Sequence, residues 1–305
     1  MEIRHLRYFL AVAAELHFTR AAERLNISPP TLSHQIKWLE TFLGVPLFVR
    51  SSKKKVSITF AGEQLQKRAL GLIESFEQTQ QFARQAARGE IGEIKLGYVL
   101  SAATAGYVNK AIELSREASP NVSIVIRHTE TSAQIKDISS GILDVGFMRR
   151  MNFYPSGIAA FIIGRQRLCA AVHRDHPIAK LKRITAGVLA KQKILAYSID
   201  AEIRFSHSIT AVLPPTAIPQ IAQRAGDAYS LLTMVGANLG VAIVPESFKK
   251  IVSAPVMIRN ISGRETYAEQ VVIYRANETS PVVGGFLKTI RAAVSASRSG
   301  WEPLV

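Results

Sequence analysis

Residues 18–49, which read FTRAAERLNISPPTLSHQIKWLETFLGVPLFV, constrain the fold of this chain more strongly than any other stretch. Thr19 is predicted to cap a short helix, because its hydroxyl can accept a hydrogen bond from a free backbone N–H of the first turn. Asn26 tolerates the left-handed conformation in which many helices end. Ser28 is predicted to cap a second helix. The stretch therefore predicts two short helices that meet at a tight turn.

The second helix has one apolar face and one polar face. Its first turn holds two prolines, where a missing N–H costs little. The apolar positions recur at helical spacing and are Leu32, Ile36, Leu39 and Leu43. A second helix with an exposed polar face is how a helix-turn-helix reads the major groove of DNA. The candidate DNA-contacting residues are Thr19, Arg20, Ser28, Pro29, Pro30, Thr31, Ser33, His34, Gln35 and Lys37. An ordinary helical hairpin with a solvated polar face is the alternative interpretation.

A cationic run follows the two helices and favours the DNA-binding interpretation. Arg50, Lys53, Lys54 and Lys55 precede the segment VSIT, in which β-branched residues alternate, so the run is predicted at the tip of a β-hairpin. Cations at such a tip suit contacts with phosphates, which supply most of the sequence-independent affinity for DNA. A charge run alone is usually a solvated loop, and it is the neighbouring helix pair that makes this one informative.

The amino-terminal part of the chain resembles the winged DNA-binding domain of the LysR-type bacterial transcriptional regulators. The likeness covers about the first 65 residues without a gap. It rests on the entry RHLRYFLAV, the helix FTRAAERL, the motif S-x-P-x-L-S-x-Q-I, the exit LGVPLF and the T-x-A-G-E after the wing. Two positions depart from the usual family pattern, which most often has glutamine at Pro29 and often has arginine at His34. The resemblance therefore implies a winged helix-turn-helix and leaves its base preference open.

Composition and charge fit a DNA-binding protein of a reducing compartment. The chain has 305 residues, of which 48% are hydrophobic, so two or three domains with sizeable cores are expected. The net charge of +15 favours a polyanionic partner over a membrane surface, because no basic amphipathic helix carries large apolar residues for insertion. A single cysteine excludes an internal disulfide framework. No signal-peptide layout and no run of about 18 apolar residues occurs, so a cytoplasmic location is expected.

Residues 60–88 are predicted to form one long helix, because they lack proline and carry an apolar stripe with heptad spacing. The stripe consists of Leu65, Ala69, Leu72, Phe76, Thr79, Ala83 and Ala86. A stripe of this length favours pairing with a partner helix, and packing against its own domain is the alternative. The resemblance implies a linker helix that joins two chains, whose recognition helices then read two half-sites. It also implies a tetramer built from two dimers, with RNA polymerase as a candidate partner.

Beyond residue 90 the pattern changes to alternating strands and helices. Strands are predicted at 91–99, 122–126 and 144–148, with helices from Ser101 to Ala118 and at 132–140. This alternation predicts a parallel sheet with covering helices. A second unit of the same kind is predicted from about Phe161, with strands at 168–172, 194–197, 218–222 and 241–244 and a helix at 230–237. A strand at 270–274 and a helix at 282–297 remain, and the resemblance implies that they return to the first unit.

The predicted fold class is α/β overall. It comprises an N-terminal winged helix-turn-helix, a long linker helix and two Rossmann-like α/β subdomains of the periplasmic-binding-protein type around a cleft. The predicted domains are 1–59 for DNA binding, 60–89 for the linker and 90–305 for effector binding. Within the last domain, subdomain I takes 90–160 and 267–305, and subdomain II takes 161–266.

The carboxyl ends of the predicted strands mark the candidate effector site, because ligands of open parallel sheets bind there. The candidate effector-binding residues are Ser101, Ala102, Thr131, Arg149, Ser198 and Phe205. Ser101, Thr131 and Ser198 fall where the resemblance implies effector contacts. Two hydroxylated helix starts and an arginine favour a small carboxylate, while helix capping alone is the alternative for Ser101 and Thr131. The opening RHLRYFLAVA and the placement of these two residues resemble the branch that senses intermediates of aromatic-compound breakdown.

Three function classes compete. A ligand-responsive transcription factor uses every feature above, with double-stranded DNA, a small-molecule effector and a second copy of the chain as partners and with no cofactor beyond the inducer. A solute-receptor-type binding protein would share the cleft but would leave residues 1–89 unexplained. An enzyme is disfavoured, because no P-loop, G-x-G-x-x-G or H-E-x-x-H motif occurs. Cys169, His173 and His176 have metal-like spacing but lack a fourth ligand nearby.

Overall fold

The computed structural model describes residues 1–50, 56–198, 208–263 and 265–296. The chain divides into two compact units, Met1–Gln85 and Ala86–Val305. No helix in these described ranges combines the length and hydropathy that a membrane span requires. The domain and subdomain boundaries given above stay predictions.

The first unit is a three-helix core with a two-stranded wing. Its elements are α1 (Ile3–Glu15), α2 (Phe18–Arg24), α3 (Pro29–Leu43), β1 (Phe48–Arg50), β2 (Val56–Ile58) and the larger part of α4 (Phe60–Ala87). The apolar face predicted for α3 is confirmed, because Leu32, Ile36 and Leu39 are fully buried and Leu43 packs partly buried against the same core. Phe9 and Phe48 lie in this core with their ring centroids 5.5 Å apart.

The turn between α2 and α3 forms as predicted, except for its first cap. His17, not Thr19, caps α2, because the helix begins two residues earlier than predicted and the His17 Nδ1 accepts a hydrogen bond from the Arg20 backbone N–H at 3.4 Å. Thr19 is an exposed residue of the first turn. Asn26 has a φ of 55°, and Ser28 caps α3 by accepting from the Thr31 N–H at 3.3 Å, so both of these predictions are confirmed.

The long helix is present as α4, and its apolar stripe divides into two parts. Ala69 is fully buried and Leu65 partly buried in the core of the first unit, so the prediction that these two positions face a partner is wrong. Ile73, outside the predicted stripe, packs with them on the same core, so the inward side of the helix runs through positions 65, 69 and 73. Leu72 and Phe76, further along, are 52% and 36% exposed.

The second unit alternates strands and helices. Its first elements are β3 (Ile91–Tyr98), α5 (Leu100–Thr104), α6 (Tyr107–Ala118), β4 (Asn121–His128), α7 (Thr131–Ser139) and β5 (Val145–Arg149). They are followed by β6 (Ile158–His173), β7 (Ile184–Thr185), α8 (Ala186–Leu189), β8 (Lys193–Tyr197) and α9, described over 208–212. The last elements are β9 (Gln220–Ala225), α10 (Ala228–Gly236), β10 (Val241–Pro245), β11 (Val256–Ser262), β12 (Tyr267–Arg275) and α11 (Pro281–Ala296).

Two antiparallel crossing strands, β6 and β12, join two parallel halves in one sheet. The strand order is β4-β3-β5-β12-β6-β10-β8-β9. β3 is parallel to β4 and β5, and β8 is parallel to β9 and β10. β12 runs antiparallel to β5 and β6, with a register shift between Gln270 and Val271. The predicted pair of α/β halves linked by two crossing strands is therefore confirmed.

Two predictions in this unit are wrong in detail. The helix predicted from Ser101 to Ala118 is two helices, because Gly106 adopts a φ of +84° that a right-handed helix cannot continue through. The strand predicted to begin at Leu168 begins at Ile158, and β6 runs for 16 residues through both halves. β7 and β11 were not predicted; β11 pairs with the second half of β6.

Candidate functional site

The candidate DNA-contacting residues of the helix pair lie on the outside of the first unit. The exposed ones are Thr19, Arg20, Ser28, Pro29, Pro30, Thr31, His34 and Lys37, while Ser33 and Gln35 are partly exposed. Arg20 donates to the Glu15 backbone carbonyl at 2.8 Å, which holds its guanidinium at the start of α2. The structure therefore leaves all the predicted residues of α2 and α3 at least partly open to solvent.

The wing is attached to the recognition helix by Glu40, which sequence reasoning missed. Its Oε1 accepts hydrogen bonds from the backbone N–H groups of Leu47 and Phe48 at 2.8 and 3.1 Å. Because Glu40 lies on α3 and Phe48 begins β1, this carboxylate ties the strand that starts the wing to the helix. A glutamate eight residues before a strand gives no local sequence signal of such a bond.

A glycine permits the close approach of α4 to the wing. A Cβ atom on Gly62 would lie 2.4 Å from the Leu47 carbonyl oxygen and 2.6 Å from the Ile58 side chain. The Thr59 hydroxyl accepts from the Gly62 N–H at 3.0 Å and donates to the Pro46 carbonyl at 2.8 Å. The T-x-A-G-E motif is thus the joint between wing and long helix.

The predicted hairpin is confirmed, with Phe48 opposite Ile58 and Arg50 opposite Val56. Arg50 is the last residue of β1. Lys53, Lys54 and Lys55 lie outside the described residues, as does Phe205 of the predicted effector set.

A small cavity in the second unit lies at the carboxyl ends of four strands, as predicted. Ser101 follows β3, Glu130 follows β4, Arg149 ends β5 and Tyr197 ends β8, and all four side chains line the cavity. Its apolar wall includes Phe248. The structure thus brings together Ser101 and Arg149 of the predicted set and adds Glu130 and Tyr197.

Ser101 connects this cavity to both crossing strands. Its hydroxyl accepts a hydrogen bond from the Gln270 side-chain amide at 3.2 Å, and its backbone carbonyl accepts one from Gln166 at 2.9 Å. Ser101 is the second residue of α5 and Val99 is the N-cap, so the alternative that Ser101 caps its helix is wrong. The two glutamines are buried, and sequence reasoning missed them because polar residues within strands look solvent-facing.

Arg149 is a buried cation on the cavity wall, with 7% of its surface exposed. Burial lowers the pKa of its guanidinium, while Tyr197, through a side-chain hydrogen bond, and Glu130, through its charge, raise it. Burial also disfavours the charged form of Tyr197, which raises the pKa of its phenol. The guanidinium of Arg149 is already largely removed from water in the folded protein. Binding an anion beside it therefore costs little further desolvation of the arginine.

The other predicted effector residues have different environments. Thr131 begins α7 and is 4% exposed, and its hydroxyl has no hydrogen-bond partner among the described residues, so it does not cap the helix. Ala102 is fully buried in the core, and its N–H bonds to the Val99 carbonyl. Ser198 is partly exposed and donates its backbone N–H to Ala225.

A larger cavity of about 440 Å³ shares Arg149 with the first. Arg150, Arg165 and Tyr267 also line it, and Arg150 forms an ion pair with Glu269 at 2.6 Å. Arg149 lies on the walls of both cavities, and the larger one has room for a small organic ligand beside its guanidinium.

The metal-like spacing of Cys169, His173 and His176 does not gather these side chains into a site. Cys169 is fully buried, and burial raises the pKa of its thiol to about 11. His173 and His176 each accept a nearby backbone N–H. The described residues contain no group of three or more His, Cys, Asp or Glu side chains that could hold a metal ion.

A winged helix-turn-helix followed by an α/β unit with a cavity at its strand ends defines a ligand-responsive DNA-binding regulator. Residues 3–63 match the family model described as bacterial regulatory helix-turn-helix protein, lysR family, and residues 87–295 match that of the LysR substrate binding domain. The chain belongs to the LysR family and is a DNA-binding transcriptional regulator with an effector-binding domain. The solute-receptor alternative is not favoured, because it leaves the first match unexplained.

The similarity to known relatives and to solved structures extends along nearly the whole chain. The Hca operon transcriptional activator HcaR of Escherichia coli is 32% identical, with 97% of this chain and 99% of that protein covered. The regulator BenM of Acinetobacter baylyi is 30% identical over 95% of each chain. The crystal structure of full-length CbnR complexed with its target DNA has a TM-score of 0.80 at 26% identity and covers 96% of this chain and 99% of that one.

Proposed function

We propose that the effector of this regulator is a small carboxylate, bound in the cavity that Ser101 and Arg149 line. The observation that carries the proposal is the burial of Arg149, which is 7% exposed on the cavity wall. An arginine presents several N–H donors in a fixed plane that matches a carboxylate. The hydroxyl of Ser101 accepts from Gln270, so its own proton is oriented for donation to a bound anion.

Thermal melting of the full-length protein with a panel of small carboxylates tests this proposal. At a ligand concentration of about 100 times Kd, binding adds about 2.7 kcal/mol to the free energy of unfolding. Arg149→Met should abolish the shift, while the matched control Arg116→Met, on the exposed face of α6, should keep it. If no carboxylate shifts the melting temperature, the proposal is wrong.

The first unit supports specific binding of double-stranded DNA. Ser33 and Gln35, on the middle of α3, are assigned to base edges, while Arg20, Lys37 and the wing cations are assigned to phosphates. The CbnR complex with its target DNA supports this assignment at the level of the relative. Pro29 and His34, which depart from the family pattern, are exposed on the same helix and would alter the preferred bases.

The exposed part of α4 supports pairing of two chains. Leu72 and Phe76 are large apolar side chains open to solvent, and they continue the helical stripe away from the core of the first unit. Two paired chains would present two recognition helices to two half-sites. A dimer of such dimers, as predicted from the family resemblance, places four DNA-binding units along one promoter.

Effector binding then acts as a switch. The ligand would change how the second units pack in the oligomer, which changes the spacing of the DNA-binding pairs and the bend of the DNA, with RNA polymerase as the partner that senses it. This role needs no catalysis and no cofactor beyond the inducer, and it places the protein in the bacterial cytoplasm. The resemblance to the branch that senses intermediates of aromatic-compound breakdown favours an aromatic acid as the inducer.

A further inference from the structure

Glu130 gives the effector cavity a second charge, opposite in sign to that of Arg149. It is the residue before α7, and its side chain lines the same cavity as Ser101 and Arg149. The Glu130 side chain is 42% exposed, and its own N-cap position contributes no side-chain bond to the helix. Its carboxylate is therefore not used to cap α7, and it lies on the cavity wall where a ligand can reach it.

The surroundings of Glu130 keep this carboxylate close to the cavity. Its Oε1 lies 3.8 Å from His128 Nε2, and both side chains are more than two-fifths exposed. Burial raises the pKa of Glu130, His128 and Arg149 lower it, and Asp227, at the start of α10, raises it. Asp227 itself is used as a helix cap, because it accepts from the Ser230 N–H at 2.9 Å.

A ligand with a carboxylate and no other polar group fits this cavity poorly. Its negative charge would be attracted to Arg149 but repelled by Glu130 on the same wall, and the acceptor atoms of Glu130 would lose water without gaining a donor. A ligand that carries a hydroxyl or ammonium group beside its carboxylate removes both penalties. The carboxylate would bind Arg149 and Ser101, and the donor would bind Glu130.

We propose that Glu130 is a specificity-determining residue that selects an effector with a hydrogen-bond donor, a hydroxyl or an ammonium group, in addition to its carboxylate. This inference rests on the proposed binding of a carboxylate in the same cavity. A ligand that covers the partly exposed Glu130 oxygens without offering them a donor leaves them unpaired, so the site disfavours an analogue that lacks the donor.

Matched ligand series test the inference on the full-length protein. Benzoate, 4-hydroxybenzoate and 4-aminobenzoate share one skeleton, and butyrate, 4-hydroxybutyrate and 4-aminobutyrate share another. Dissociation constants are measured by calorimetry for the wild type, for Glu130→Gln and for Glu117→Gln. Glu117, an exposed residue of α6, provides a control with the same change of charge.

The wild type and Glu117→Gln are expected to bind a donor-bearing member of at least one series about tenfold more tightly than its plain analogue, since a hydrogen bond to a charged group is worth that much. Glu130→Gln should lose most of this ratio and bind the plain carboxylate more tightly than the wild type does. A preference for the hydroxyl member identifies a hydroxy acid, and one for the amino member identifies an amino acid; both support the inference.

Two results would overturn it and are distinguishable from each other. Equal binding of plain and donor-bearing members by the wild type, unchanged in Glu130→Gln, would refute the role of Glu130 and leave carboxylate binding intact. Absence of binding for both series in all three proteins would refute carboxylate binding together with the inference.

Discussion

Burial decides which polar side chains of this protein are chemically available. Cys169 is fully buried, and its Sγ–H donates to the Asn260 side-chain oxygen at 3.6 Å. Ser101 is nearly as buried, but it lies on a cavity wall and its hydroxyl belongs to a network with Gln270. A serine and a cysteine of similar exposure thus have different roles, because only one of them faces an open volume.

The Cys169 thiol is expected to be unreactive in the folded protein. Because burial raises its pKa to about 11, the group is a neutral thiol at mildly alkaline pH, and the thiolate is the nucleophile. A thiol-specific chromogenic reagent should label no cysteine in the native chain and one cysteine per chain in concentrated guanidinium chloride. Fast labelling of the native protein would show that β6 opens readily.

Base-reading and phosphate-binding residues should differ in how their replacement affects DNA binding. Replacing Ser33 and Gln35 by alanine should reduce binding to the specific site more than binding to unrelated DNA. Neutralising Lys53, Lys54 and Lys55 should weaken both and lower the slope of log K against log salt by about 1 for each phosphate that is no longer neutralised. Gel shifts over a salt series measure both effects. An equal reduction on both DNAs for the alanine variant would contradict base reading by α3.

The residues of the candidate site were predictable where a local rule selects them. The rule that ligands lie beyond strand ends identified Ser101 and Arg149. The same rule could have identified Glu130, which stands between β4 and α7, but the neighbouring Thr131 was the more obvious candidate for a helix cap. Gln270 was not predictable, because its contact with Ser101 joins residues 169 positions apart.

Helix α4 shows how one element serves two surfaces. Its first turns pack inward through Ala69, while Leu72 and Phe76 remain exposed on the described chain. Positions 65, 69 and 73 form the buried side of the helix. Positions 72 and 76 lie on a second apolar side, which is exposed. This is the arrangement expected of a helix that leaves its own domain and pairs with another copy.

Leu72→Glu is expected to dissociate the oligomer at α4. A charge at an apolar position of a helix pair is buried without a partner in both chains, which destabilises the pair by several kcal/mol. Gln81→Glu is the control, because it lies nine residues and about two and a half turns away, on the opposite face. Sedimentation of both variants measures the change. A Leu72→Glu protein with the mass of the wild type would exclude this seam.

The elements that sequence missed were decided by contacts distant in the chain. The parallel strands β3, β4 and β5 were predicted, because short apolar runs alternate with helical segments along this part of the chain. The break at Gly106 was not, because the residues around it contain no proline and a single glycine does not by itself end a helix. β11 was missed because it exists through pairing with β6 and β7, and neither register is visible locally.

The two compact units should respond differently to ligand. A carboxylate bound beside Arg149 stabilises the second unit alone, so a melt of the full chain should show that unit moving to higher temperature while the first stays. Trp301→Phe leaves Trp38 of α3 as the lone tryptophan, because the chain has two. Its fluorescence then reports the first unit, and far-ultraviolet circular dichroism reports both. Coincident shifts by both probes would show that the units unfold as one.

The sixteen-residue strand β6 has a mechanical consequence. β6 and its neighbour β12 lie between the two halves of the second unit. A change in the angle between the halves therefore requires these two strands to bend. The pairing of β12 with β6 is irregular beside Gln270. The side chain of Gln270 also donates a hydrogen bond to Ser101. A ligand that binds Ser101, as proposed, would therefore act next to the irregular pairing of the two strands that link the halves.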